Sequence, residues 1–241
     1  MTVSITPVEG LPEIREGDDL ATLIAERAAL EDGDVLVVAQ KIVSKAEGRV
    51  VRLAEVEASE EATRIAAGSD PRQIEVILRE AVRIVRVRPP LIIAETRHGF
   101  VCASAGVDAS NAPEPDSVVL LPDDPDASAA RLHDRLRELA GAEVVVIVSD
   151  SFGRAWRQGT TDVAIGVAGI QPLVDLKGLR DPTGYELHAT VIAVADELAG
   201  AAELVMGKTS GVPAAVIRGV DARGEGNARE LVMPPERDLF R

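Results

Sequence analysis

The chain has 241 residues, of which 46% are hydrophobic and only 2% aromatic, and its net charge is −14. That length and apolar content support one large domain or two small ones, with a core of Val, Ile, Leu and Ala and no need of disulfides or a structural metal. So acidic a surface argues against nucleic acid and anionic lipid as partners, and an anionic substrate needs a locally basic pocket.

Pro7, Gly10 and Pro12 predict an ordered loop over residues 7–14. Asp18 or Asp19 can cap a helix from about Leu20 to Leu30, with Leu20, Leu23, Ile24 and Ala28 at helical spacing. Gly33 turns the chain into a strand over 34–39, followed directly by Gln40-Lys-Ile-Val-Ser-Lys45. A polar helix is expected near 58–67 and an amphipathic one from Pro71 to about Val85, broken by Pro89-Pro90. Residues 91–94, 99–103 and 118–121 read as strands. Asp126 is the expected cap of a helix running to Ala140, with Leu132, Leu136 and Leu139 on one face. The β-branched run 143–148 is a buried strand that breaks into Ser149-Asp-Ser-Phe-Gly-Arg154. A mainly apolar stretch from Glu186 to Val205 reads as a strand and then a helix, split near Ala195, and 215–219 is a late strand. The mixture is α/β or α+β, with no repeat and no low-complexity linker.

Cys102 is the only cysteine, so a disulfide framework or thiolate zinc site within the chain is excluded. Between Val101 and Ala103 it reads as a small buried hydrophobe. There is no signal-peptide pattern, and no apolar run approaches the ~20 residues that span a bilayer, so a cytoplasmic protein with no membrane contact is expected. His98, His133 and His188 are scattered without ligand spacing, and His133, in a charged helix, is expected to be solvated.

The chemistry concentrates after the 143–148 strand. Ligands gather beyond the carboxyl ends of strands in open α/β sheets. Asp150 and Ser151 there offer hard oxygen ligands for a divalent cation, and Arg154 and Arg157 suit carboxylate or phosphate. Trp156 either stacks on a planar ring or fills core. Asp108, with Asn111 nearby, is either a second metal carboxylate or an Asx turn. Lys41 and Lys45 share a helix face and either reach phosphate oxygens or form a solvated pair. Gly207-Lys208-Thr209 imitates the end of a phosphate-binding P-loop, but Ala202 stands where that motif needs glycine.

Several ordered stretches together resemble the coenzyme F420-0:L-glutamate ligase (F420 γ-glutamyl ligase) family. They are Gly10-Leu-Pro-Glu-Ile14, residues 40–49 from Gln40 to Arg49, Gly106-Val-Asp-Ala-Ser-Asn111, Ser149-Asp-Ser-Phe-Gly-Arg154, Trp156-Arg157, residues 159–169, Asp196-Glu-Leu-Ala199, and Met206-Gly-Lys208 leading to Val212-Pro213. The resemblance spans nearly the whole chain. It implies a two-lobed α/β fold, with intertwined lobes whose boundaries the sequence does not assign, and a homodimer. This chain resembles the form without a C-terminal flavin-binding domain.

The activity implied is GTP-dependent addition of L-glutamate to coenzyme F420-0, and then of further γ-linked glutamates, through an acyl phosphate. Leu11, Pro12, Glu13, Ile14, Gln40, Lys41, Lys45 and Asn111 would line the GTP site. Met206, Gly207, Lys208, Thr209, Ser210, Gly211, Val212 and Pro213 would form the loop that closes on the nucleotide. Asp108, Asp150 and Ser151 would hold Mn2+ or Mg2+, with K+ as activator, and Asp108, Asp150 and Lys45 would be catalytic. Some members carry an amide or acidic metal-binding side chain in the closing loop, where this chain has Lys208. Two other readings are a different phosphotransferase or acyl-phosphate ligase on the same scaffold, and a nucleotide-binding module without catalysis.

Overall fold

The computed structural model describes residues 2–239. The first elements are β1 (Ser4–Pro7), α1 (Leu20–Ala25), β2 (Val35–Ala39), α2 (Gln40–Ala46) and β3 (Val50–Arg52). There follow α3 (Glu60–Ala66), α4 (Pro71–Glu80), β4 (Ala81–Arg88), β5 (Leu91–Thr96), β6 (Val101–Ala103) and β7 (Ser117–Val119). The second half holds α5 (Pro125–Ala140), β8 (Val145–Gly153), β9 (Thr160–Ala168), β10 (Val174–Asp175), β11 (Val191–Ile192), α6 (Val194–Met206) and β12 (Ala214–Arg218). The α/β expectation holds.

Among the described residues the largest sheet has five strands in the order β1-β12-β2-β8-β9. Only β2 and β8 are parallel. Leu36, Val38, Val146 and Val148 pack beneath α1 and α5, while Val35, Val37, Val145 and Ile147 pack against α6. Burial of both faces is why these strands read as unbroken apolar runs. A third apolar cluster, with Ile65, Ile74, Ile77, Ile92 and Val118, joins α3 and α4 to β5 and β7. β5 is also the centre of a separate sheet, β4-β5-β6.

Several boundaries differ from those expected. The helix from Leu20 is capped by Asp19 but ends at Ala25, five residues short of Leu30. Arg27 closes it from outside by donating to the Leu23 and Gly10 carbonyls. The helix from Pro71 stops at Glu80, because 81–88 pairs with β5 as an antiparallel strand, from Ala81 opposite Thr96 to Arg88 opposite Leu91. Tertiary pairing there overrides a weak helical pattern.

Asp124, not Asp126, caps α5, with Pro125 at the first turn. Asp126 instead accepts the Val167 and Ala228 amides at 2.8 and 2.9 Å, pinning β9 and the chain after β12 to the start of α5. On α5, Leu132 and Leu136 are buried and Leu139 is exposed. His133 is not solvated, since its Nδ1 donates to the Val144 carbonyl at 2.7 Å. The strand expected to break after 148 continues to Gly153, because β9 runs beside it throughout.

Two contacts set the frame. Gly166 of β9 lies against the α5 N-terminus so closely that a Cβ would sit 2.2 Å from the Pro125 carbonyl oxygen. Asp34, 1% exposed, takes two 2.7 Å hydrogen bonds from Arg218 and one of 2.8 Å from the Glu31 amide, tying the start of β2 to the end of β12. Burial raises its carboxyl pKa, but Arg218 and the Glu31 amide outweigh burial and leave it below the ordinary value.

Gly166→Ala forces backbone apart and should cost about 1–3 kcal/mol, read as a lower denaturant midpoint at unchanged m-value. Asp34 has a depressed folded pKa, so its stabilisation is present above about pH 3.8 and is lost as pH falls through the folded value. Asp34→Asn should therefore melt well below the parent chain at pH 7, with the gap closing in acid. A gap independent of pH across that range would refute the assignment.

Candidate functional site

Because β2 and β8 are parallel, their carboxyl ends open on the same edge of the sheet, where an α/β crevice forms. A cleft of about 450 Å3 lies there. One wall is the 11–14 loop with Gln40, Lys41 and Lys45 of α2 and Asn111. The floor is Ser149, Asp150, Ser151 and Asp162. The far wall is Glu203 and Met206 of α6 with Gly207, Lys208, Thr209, Gly211, Val212 and Pro213. The expected nucleotide segments are thus brought together, with one exception. Ser210 does not line the cleft, because its hydroxyl turns back to donate to the Met206 carbonyl.

The floor is built by a β-bulge. Val148 pairs with Gly166 but Ser149 pairs with Ala164, so Ile165 is the extra residue. Beyond it Ser151 lies directly opposite Asp162. Ser151 Oγ donates to Asp162 Oδ1 at 2.6 Å and Ser149 Oγ donates to Asp162 Oδ2 at 3.0 Å. Strand alternation then turns Asp150 to the other face, the one on which Val148 packs beneath α5. Lys208 Nζ donates to Ser151 Oγ at 3.0 Å from the opposite wall.

Each cation of α2 is parked on an acid. Lys45 Nζ is 2.5 Å from Glu13 Oε1, and its side chain is 7% exposed, which removes the solvated-pair reading. Lys41 Nζ is 2.6 Å from Asp108 Oδ2 and donates to the Ser110 carbonyl at 2.8 Å. Asp108 also accepts the Ser110 amide at 2.7 Å, so it forms the local Asx turn as well as an ion pair. It stands beside the cleft and is not part of its lining. Gln40 is buried; its Oε1 accepts from Ser44 Oγ at 2.8 Å, and its Nε2 has no hydrogen-bond partner among the described residues.

The electrostatics follow from this crowding. Asp150 is open to the cleft on one side only, and burial pushes its carboxyl up to about 7. The Ser151 amide and Lys208 pull it down, and Asp162 and Asp108 add to the rise. Glu203 is also raised, by burial first and then by Asp162. Burial raises Asp108, but the Lys41 hydrogen bond and the Ser110 amide leave it lowered. Burial lifts the Cys102 thiol to about 12, as befits an inert buried hydrophobe.

Asp162 and Glu203 were not singled out from sequence. The signal for Asp162 was an acid between Thr161 and Val163 in a stretch of small apolar residues. Glu203 carried none, because its place depends on how α6 docks. Trp156 is 79% exposed at the tip of the β8–β9 hairpin, so it does not fill core. Arg154 closes that tip by donating to the Gln158 carbonyl. Among the described residues no three His, Cys, Asp or Glu side chains gather closely enough to hold a metal by themselves. Nor is any helix among them long and apolar enough to cross a membrane.

The family model for F420-0:gamma-glutamyl ligase matches residues 10–219. The coenzyme F420:L-glutamate ligase of Methanopyrus kandleri is 52% identical, with 100% of this chain and 98% of that protein covered. The enzyme of the same name from Methanothermobacter thermautotrophicus is 47% identical with both chains covered in full. That from Archaeoglobus fulgidus is 45% identical over 100% of this chain and 97% of its own length. With the likeness running through both walls and the floor of the cleft, the chain belongs to the F420-0:gamma-glutamyl ligase family.

Proposed function

We propose that this chain is the coenzyme F420-0:L-glutamate ligase that its family membership indicates, driven by GTP bound in the cleft at the ends of β2 and β8. The observation that carries the reading is the pairing of Lys41 and Lys45 on one wall with Asp150 and Ser151 on the floor. Buried cations opposite hard oxygen donors suit a polyphosphate.

A carboxylate resists attack by an amine, because resonance and negative charge oppose it. In the first step the terminal carboxylate oxygen of F420-0 attacks the γ-phosphorus, the bond to the β-bridging oxygen breaks, and GDP leaves. In the second the α-amine of glutamate attacks the acyl carbon, the C–O bond breaks, phosphate leaves with the electron pair, and nitrogen sheds a proton. The first transition state gathers negative charge on oxygen, so prearranged cations lower its energy.

Lys45 and Lys41 would exchange Glu13 and Asp108 for phosphate oxygens. The unpartnered Gln40 Nε2 would donate to the nucleotide. Leu11, Pro12, Val212 and Pro213 would cover it and exclude water, which would otherwise hydrolyse the acyl phosphate. Asp150 suits Mn2+ or Mg2+, with phosphate oxygens completing the shell, as is usual where protein carboxylates are few. Asp108 would join them once Lys41 has turned to phosphate. Such an ion supplies Lewis-acid stabilisation of the phosphoryl oxygens.

A homodimer fits the small sheet. Among the described residues β4 is an edge strand, paired only with β5. It exposes Val82, Ile84 and Val87, an edge that a second copy would cover.

Incubated with F420-0, L-glutamate, GTP and Mn2+, the protein should yield a product heavier by one glutamyl residue, with GDP release that requires glutamate. GDP release indifferent to glutamate would point to a plain phosphotransferase. No product with GTP or ATP would defeat the proposal. Asp150→Ala should keep its melting temperature and lose at least about 100-fold in turnover; undiminished turnover would remove Asp150 from the site.

A further inference from the structure

Lys208 touches the floor of the cleft from its far wall. It follows α6 through Gly207, whose positive φ of 60° turns the chain back over the β8–β9 hairpin. The stem lies in solvent and the ammonium reaches Ser151 Oγ at 3.0 Å. That hydroxyl already gives its proton to Asp162, so Lys208 meets it at a lone pair, the side from which a metal ion would also approach.

The surroundings are those of a cation site. Asp162 takes two hydroxyl protons, Glu203 stands on α6 beside it, and Asp150 lies on the neighbouring position of β8. The other charged groups lining the cleft are Glu13, Lys41 and Lys45, and these cations are engaged on the opposite wall. The charge of Lys208 acts on both Asp150 and Glu203. A divalent ion bound at Ser151 Oγ, about 2.1 Å from oxygen, would lie hard against an ammonium on the same atom, and like charges so close repel strongly.

We infer that the Lys208 ammonium fills a second cation position between Ser151, Asp162 and Glu203, so that the cleft admits one divalent ion, on the Asp150 side. A lysine is a compact point charge with three donors, one of them spent on Ser151. The other two are left to take phosphate oxygens, so the same side chain would offset the acids and grip the nucleotide. The inference rests on the proposed nucleotide–metal reading of this cleft.

Counting bound Mn2+ tests it without any turnover. The probe is Mn2+ itself, titrated into the full chain with GDP at equal concentration. Free Mn2+ is read by electron paramagnetic resonance and a protein-free GDP blank is subtracted. The parent chain should bind one ion per chain, Lys208→Gln two, and Lys208→Arg, which keeps the charge, one. Thermal melts establish that each variant is folded. Two ions in the parent chain overturn the inference whether or not a variant folds. Equal counts in the parent and Lys208→Gln overturn it too, and so does a second ion in Lys208→Arg. If neither the parent nor Lys208→Gln binds Mn2+, the metal reading of the cleft falls as well. One ion in both chains leaves that reading standing and removes only the role given to Lys208.

Discussion

Acidic side chains crowded between one hairpin and α6 are the constraint under which the rest of this site is arranged. Asp150, Asp162 and Glu203 all line a single cleft in a chain whose net charge is −14. Burial there costs hydration, and repulsion adds to the cost, which is why Asp150 and Glu203 hold their protons more tightly than exposed acids do. Such a cluster persists only where something offsets it. Two serine hydroxyls and one lysine ammonium do so in part, and the cleft is left receptive to further positive charge.

The sheet supplies the rigidity that such a cluster needs. The β8–β9 ladder begins inside the core, where Val146 and Ile147 are fully buried, and runs on into the cleft. The bulge at Ile165 is the one irregularity, and it sits where apolar pairs give way to Ser149 opposite Ala164 and Ser151 opposite Asp162. Asp126 supports that point from below by taking the Val167 amide. A site borne on paired strands holds its side chains more closely than one borne on a loop. The 206–213 loop, which turns at Gly207 and Gly211 with positive φ, forms the wall that no strand carries.

How much of this was legible in the sequence depended on the range of the interactions. β2 and β12 announced themselves through β-branched runs, and α5 through its period, because those signals are local. The cap of α5 was misread, since Asp124 and Asp126 are equally good capping residues and only the fold shows that Asp126 is occupied by β9. The start of β4 sits where the sequence predicts the end of a helix, because the span to Val85 is too short for either period to decide, and the pairing with β5 does. Asp150, Ser151, Lys41 and Lys45 stood out by chemical type beside strong strands. Asp162 and Glu203 did not, because each acquires its place from a partner far along the chain: Ser151 across a hairpin for one, the docking of α6 for the other.

The ion pairs on the opposite wall bear on how such a cleft responds to a ligand. Lys45–Glu13 and Lys41–Asp108 are short contacts with little-exposed ammonium groups, while Glu13 is largely solvated. A surface carboxylate gives up such a partner at small cost, because water takes its place. A polyphosphate offers more charge per oxygen cluster and returns nothing to water, so it competes well for both lysines. Asp108 is the unequal member. It is more enclosed than Glu13, and its charge already raises Asp150. Releasing Lys41 therefore leaves a half-buried acid facing another acid, an unfavourable arrangement unless a cation arrives with the phosphate. On the proposed reading, nucleotide and divalent ion would enter the cleft as a coupled pair, because each would repair the charge imbalance that the other creates.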